Sequence, residues 1–89
     1  GYPLMRAFTA FGDGRYGEAV RLIRPVRHIA ARFGGSNAQR DVIELTLIEA
    51  ALRAGDEPLS RALAGERLVA KHESPLARLF AKRAGLTLA

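Results

Sequence analysis

Few residue types in this chain could carry chemistry. It has no cysteine, which removes disulfides, thiolate zinc sites, iron–sulfur clusters and cysteine nucleophiles together. The two histidines, His28 and His72, are too few for an all-histidine catalytic metal site. No cofactor or metal is therefore expected. Serine, histidine and aspartate occur, but no Gly-x-Ser-x-Gly turn presents a nucleophile, and the chain is not read as an enzyme. Gly34-Gly35-Ser36 could offer free amides to an anion at a helix start. It lacks the Lys-Ser/Thr pair of a phosphate-binding loop, so helix capping is the better reading. Glu49 is more informative. It stands among Val42, Leu45 and Leu52, and Arg53 follows four residues on, in the order that favours an ion pair along a helix. Pairing, rather than proton transfer, is expected of it.

The second candidate is basic. Arg21, Arg24, His28 and Arg32 fall on one side of a helical wheel and could follow the phosphates of a nucleic acid or another polyanion. No aromatic residue interleaves them for base stacking, and no recognition-helix turn is evident. A solvated face is the main reading, with polyanion binding as the alternative. The charge is lopsided. The net is +5, and residues 1–34 hold six arginines against Asp13 and Glu18, whereas the remainder is nearly balanced. His28, set among arginines, lacks ligand partners. His72 lies near a helix end, where it can meet free carbonyls.

The elements that must position these residues are helices. At 89 residues the chain is one domain that buries ~60–65% of its unfolded surface. Alanine, leucine and arginine dominate and favour helix. No apolar run reaches the ~18–20 residues of a membrane span, and no signal-peptide pattern is seen. A cytoplasmic protein with no membrane partner is expected. Because the first residue is Gly1, a piece of a longer protein is also expected. Turn signals at Gly12-Asp13-Gly14, Gly34-Gly35-Ser36, Gly55-Asp56-Glu57-Pro58 and Glu73-Ser74-Pro75 leave five helical segments, about 3–11, 15–33, 37–54, 57–71 and 75–84. No stretch alternates with period two, so no strands are predicted.

Each segment has an expected face. In the second, Ala19, Leu22, Ile23, Val26, Ile29, Ala30 and Phe33 form an apolar stripe, and Pro25 on the polar side should kink the helix. The third opens on a capping box, Ser36 to Gln39. It is apolar almost all round: Val42, Leu45 and Leu52 on one side, Ile43, Leu47, Ala50 and Ala54 on the other. That is the pattern of a central helix. The fourth carries Leu59, Ala62, Leu63, Leu68 and Val69. The fifth points Leu76, Leu79 and Phe80 inward and Arg78, Lys82 and Arg83 outward. The tail after Gly85 is expected to fray.

Helix–turn–helix units recur. Gly14 and Gly55 both follow a helix end and precede an amphipathic return, 41 residues apart, a spacing that suggests an α-solenoid. Gly14-Arg15-Tyr16-Gly17-Glu18-Ala19-Val20 resembles the G-x-Y-x-E-A-[IV] turn of the tetratricopeptide repeat (TPR) family. Gly34 to Asp41 is similar to a stretch of bacterial TPR proteins, and the resemblance covers roughly residues 4–84. The second copy departs from the pattern, with Glu57 in place of the aromatic and Ser60 in place of the alanine. The usual tryptophan is absent from both copies, and the period exceeds the usual ~34 residues.

The resemblance implies an all-α, right-handed TPR-like solenoid of antiparallel helix pairs: repeat one about 3–33, repeat two about 37–71 and a closing helix about 75–84. It implies a concave groove lined by Leu4, Phe8 and Phe11, by Val42, Leu45, Glu49, Leu52 and Arg53, and by Leu79, Lys82 and Arg83. Apolar anchors with a few charges suit a protein or peptide segment. The first helix has no polar cap, so a homodimer is expected.

Overall fold

The structure is a computed structural model. It describes the backbone of residues 2–33 and 37–87 and the side chains of residues 4–29 and 38–87. Among these the fold is all-helical: α1 (Tyr2–Gly12), α2 (Tyr16–Phe33), α3 (Asn37–Ala54), α4 (Glu57–Ala70) and α5 (Pro75–Arg83). The five expected segments match within two residues, and no strand occurs among the described residues. Ser36, Gly34 and Gly35 lie outside them, and so do the predicted cap and anion cradle there.

Local chemistry sets the boundaries. The Asp56 side chain accepts from the Leu59 amide at 3.2 Å, and Ser74 accepts from the Ala77 amide at 3.2 Å. Each cap precedes a proline in the first turn, where the missing amide costs nothing. The helices α1, α3 and α5 end alike. Gly14, Gly55 and Gly85 take positive φ of 80°, 75° and 83°. In each case the residue after the glycine donates back to a carbonyl five residues earlier: Arg15 to Ala10, Asp56 to Ala51 and Leu86 to Ala81. This is the Schellman termination. The third instance corrects the expectation of fraying at Leu86; Leu88 and Ala89 lie outside the described residues. Leu86 is tied back and packs against the core, and Arg61 Nε donates to the Ala84 carbonyl at 3.1 Å.

Packing follows chain order: α1 on α2, α2 on α3, α3 on α4, α4 on α5, with α5 also returning to α3. The Cα extents of 40 × 28 × 18 Å leave room for about two helix layers at 8–10 Å between axes. α3 is central, as its all-round apolarity predicts; Leu47, Ile48, Ala50 and Ala51 are fully buried. Much of the core is alanine: Ala7, Ala10, Ala19, Ala50, Ala51 and Ala64. Small residues let helix backbones approach closely, and this governs which face turns inward more than side-chain hydropathy does.

The inward faces differ from expectation for that reason. α5 docks through Ala77, Phe80, Ala81 and Ala84, so Leu76 and Leu79 point out rather than in. α4 buries Ser60, Leu63, Ala64 and Arg67 and leaves Val69 and Ala62 exposed. On α2 the buried line runs through Ala19, Val20 and Ile23, and Ile29 is exposed. At 100° per residue Ile29 lies about 120° around the helix from Ile23, beyond the contact with α3. Ala54, at the end of α3, is exposed rather than inward. Arg67 is the one buried cation of α4; its Nη1 donates to Asp41 at 3.1 Å, while its buried Nε has no partner.

Candidate functional site

One ladder of side chains crosses four helices, α1, α2, α3 and α5. It starts at Phe11, whose ring meets Tyr16 edge-on at a centroid distance of 5.3 Å. Arg53 Nη1 donates to the Tyr16 hydroxyl at 3.2 Å. Arg53 Nε donates to Glu49 Oε2 at 2.7 Å. Arg83 then grips both carboxylate oxygens, at 2.7 and 2.8 Å, and its guanidinium lies 5.8 Å from the centre of the Phe80 ring. The i,i+4 spacing of Glu49 and Arg53 on α3 makes the first ion pair. The return of α5 onto α3 supplies the second, whose forked geometry is the strongest form of an arginine–carboxylate contact.

The electrostatics follow from these bonds. The Arg83 hydrogen bonds, opposed by desolvation and reinforced by Arg53, hold the Glu49 carboxyl down to about 2. Glu49 in turn raises both arginines. A carboxylate held this way has no proton to exchange near neutral pH. Two arginines against one glutamate leave the cluster with a net charge of +1.

Four of the residues read from the sequence as groove positions therefore meet: Phe11, Glu49, Arg53 and Arg83. Leu4, Leu45 and Leu52 are half-buried and pack partly against the core. Phe8 is 40% exposed, Val42 52% and Leu79 50%, so these three offer apolar surface. Lys82 is exposed beside Arg83. Two members of the site carried no sequence signal: Phe80 as the seat of Arg83, and Leu76 as an exposed residue. Tyr16 reads from its motif as a wedge between helices; nothing in the sequence marks its hydroxyl as the acceptor for Arg53.

The basic face is only partly built. Arg21, Arg24 and His28 are exposed; the Arg32 side chain lies outside the described residues. Arg27, which is not among the four basic residues read from the helical wheel, is the one that is paired, with Nη2 2.6 Å from Glu66 on α4. His72, expected near terminal carbonyls, is exposed instead with Nε2 4.0 Å from Glu73. Among the described residues no three histidine, aspartate or glutamate side chains converge to hold a metal ion, and no helix is long and apolar enough to cross a membrane. No protein-family model and no solved structure matches the chain.

Proposed function

We propose that this chain is a non-catalytic protein–protein interaction module: a short, right-handed TPR-like solenoid that presents a groove on the side of α1, α3 and α5. One observation carries the reading. Phe8, Val42, Leu76 and Leu79 are large apolar side chains left open to solvent, on α1, α3 and α5, three of the helices that carry the ladder of arginine, glutamate and aromatic groups. Solvent-facing apolar residues in a patch mark interaction surfaces. Counted back from the Glu49–Arg83 pair along two helices running the same way, Leu79 falls level with Leu45 and Leu76 with Val42. The stripe would then be continuous, with anchors above and charges below to orient a bound segment. The three glycine-terminated helices, α1, α3 and α5, support the repeat reading.

The favoured occupant is a second copy, giving a homodimer. Burying about 400 Å² of apolar surface contributes ~10 kcal/mol gross before association entropy is subtracted. Sedimentation at tens to hundreds of micromolar tests this, with wild type, Phe8→Glu and Leu79→Glu at low and high salt. A dimer that survives salt in wild type and dissociates in both variants is expected. A wild-type monomer throughout overturns the homodimer. The polyanion alternative, favoured by the exposed Arg21 and Arg24, predicts the opposite salt response: binding to heparin or an oligonucleotide that falls steeply as salt rises.

A further inference from the structure

The other side of α3 carries a cleft that the groove does not use. It lies between α2 and α4, which make no extensive contact, and holds about 230 Å³. Its floor is apolar. Leu47 of α3 and Leu63 of α4 are buried beneath it, and Leu59 is half-buried at its edge. Its rim carries basic side chains. Arg24 and His28 stand on the α2 side, and the Arg27–Glu66 pair spans from α2 to α4. Arg24 makes no ion pair among the described residues, and Arg21, nearly one turn away, is also exposed.

Volume and charge together select the occupant. Small-molecule and cofactor sites run to about 300–1,000 Å³, so this cleft is undersized for one and is scaled to a side chain. Leucines in the floor give a phosphate backbone nothing to bind, and the lining offers no aromatic platform for bases. The one acid of the rim, Glu66, is engaged by Arg27, so the free charge around the cleft is positive. We infer that the α2–α4 cleft docks an acidic segment of a partner protein, seating one leucine-sized anchor on Leu59 and Ala62, above the buried Leu47 and Leu63, while flanking carboxylates meet Arg24 and Arg21. The site stands apart from the α3–α5 groove, and either can fail without the other.

The probe is a synthetic helical peptide of about 15 residues, the length at which an isolated helix becomes tenable, with one leucine flanked by glutamates three and four residues away. Binding is read by methyl and amide NMR shifts. Perturbations at Leu47, Leu59 and Leu63 are expected. Affinity should fall at least about tenfold with Arg24→Glu, with Ala62→Trp, which fills the mouth from an exposed position, or with serine in place of the peptide leucine. Lysines in place of the glutamates should abolish binding. Three results overturn the inference: unchanged affinity in Ala62→Trp, perturbations centred on Glu49 and Arg83, or an oligonucleotide that binds the rim equally well in wild type and Ala62→Trp while the peptide does not bind.

Discussion

Replacing Glu49 by glutamine gives a pH signature whose sign and size follow from the ladder. In the folded chain the Glu49 carboxyl sits at about 2, against an ordinary value of 4.5. Converted in full, that difference is ~3 kcal/mol. The two arginines that cause it are 51% and 37% exposed, and water screens such pairs, so about 1–2 kcal/mol is the working figure. A depressed folded pKa stabilises above the unfolded pKa and is lost as pH falls through the folded one. The contribution is therefore complete above about pH 5 and disappears toward about pH 2. Protonated glutamate and glutamine are nearly isosteric, so the two proteins should converge at the acid end. Urea unfolding of wild type and Glu49→Gln at about pH 6, 4 and 2.5 measures the gap. A gap of about 1–2 kcal/mol at pH 6 that narrows as pH falls, to about a quarter of that size or less at pH 2.5, is expected, each kcal/mol corresponding to about 4–8 °C in Tm. A gap that stays constant with pH, or is absent at pH 6, would show that the two arginines do not stabilise the ionised carboxylate. Carboxyl NMR adds a finer check. Arg83→Gln should raise the Glu49 pKa more than Arg53→Gln, because Arg83 gives two hydrogen bonds and Arg53 one.

Other substitutions separate backbone, packing and charge. Gly55→Ala should cost ~1–2 kcal/mol, because φ is 75° and an added Cβ meets nothing within 4 Å, leaving only the left-handed penalty. Gly65→Ala should instead stabilise by ~0.5–1 kcal/mol, since it lies within α4 and its Cβ would rest 3.8 Å from Leu86; thermal melts of both variants decide. Ala19→Trp overfills a fully buried position and should cost at least ~1–3 kcal/mol, visible as a loss of Tm. Arg67→Met should be tolerated better than Asp41→Ala in urea unfolding. The first removes a buried charge and its unsatisfied Nε together, whereas the second leaves the cation without the pair that lowers the Asp41 pKa.

What the sequence disclosed depended on whether the signal was local. Ser74-Pro75, Asp56-Glu57-Pro58 and the turn glycines place helix ends by chemistry within a few residues, so the boundaries are legible. The Glu49–Arg53 pair is likewise local. Arg83 lies 34 residues from Glu49, and only the return of α5 onto α3 joins them. The faces of α4 and α5 differ from their wheels because a wheel ranks leucine above alanine. Ala77, Ala81 and Ala84 win the inward positions by letting α5 approach, and this pushes Leu76 and Leu79 into solvent. The same rotation leaves exposed the two leucines on which the functional proposal draws. Arg67 shows the converse: a charge that composition assigns to the surface is buried because Asp41 waits for it on α3.

Whether the α1–α3–α5 side is an interaction surface can be read from a dilution series on methyl-labelled protein. The chain supplies its own controls, since Ile29 and Val69 are exposed apolar residues on α2 and α4 rather than on the helices of the proposed stripe. Concentration-dependent shifts are expected at Val42, Leu45, Leu76 and Leu79, removed by Phe8→Glu, with Ile29 and Val69 unmoved. Shifts centred on Ile29 and Val69, or no shift at any of these methyls up to millimolar concentration, would contradict the proposal.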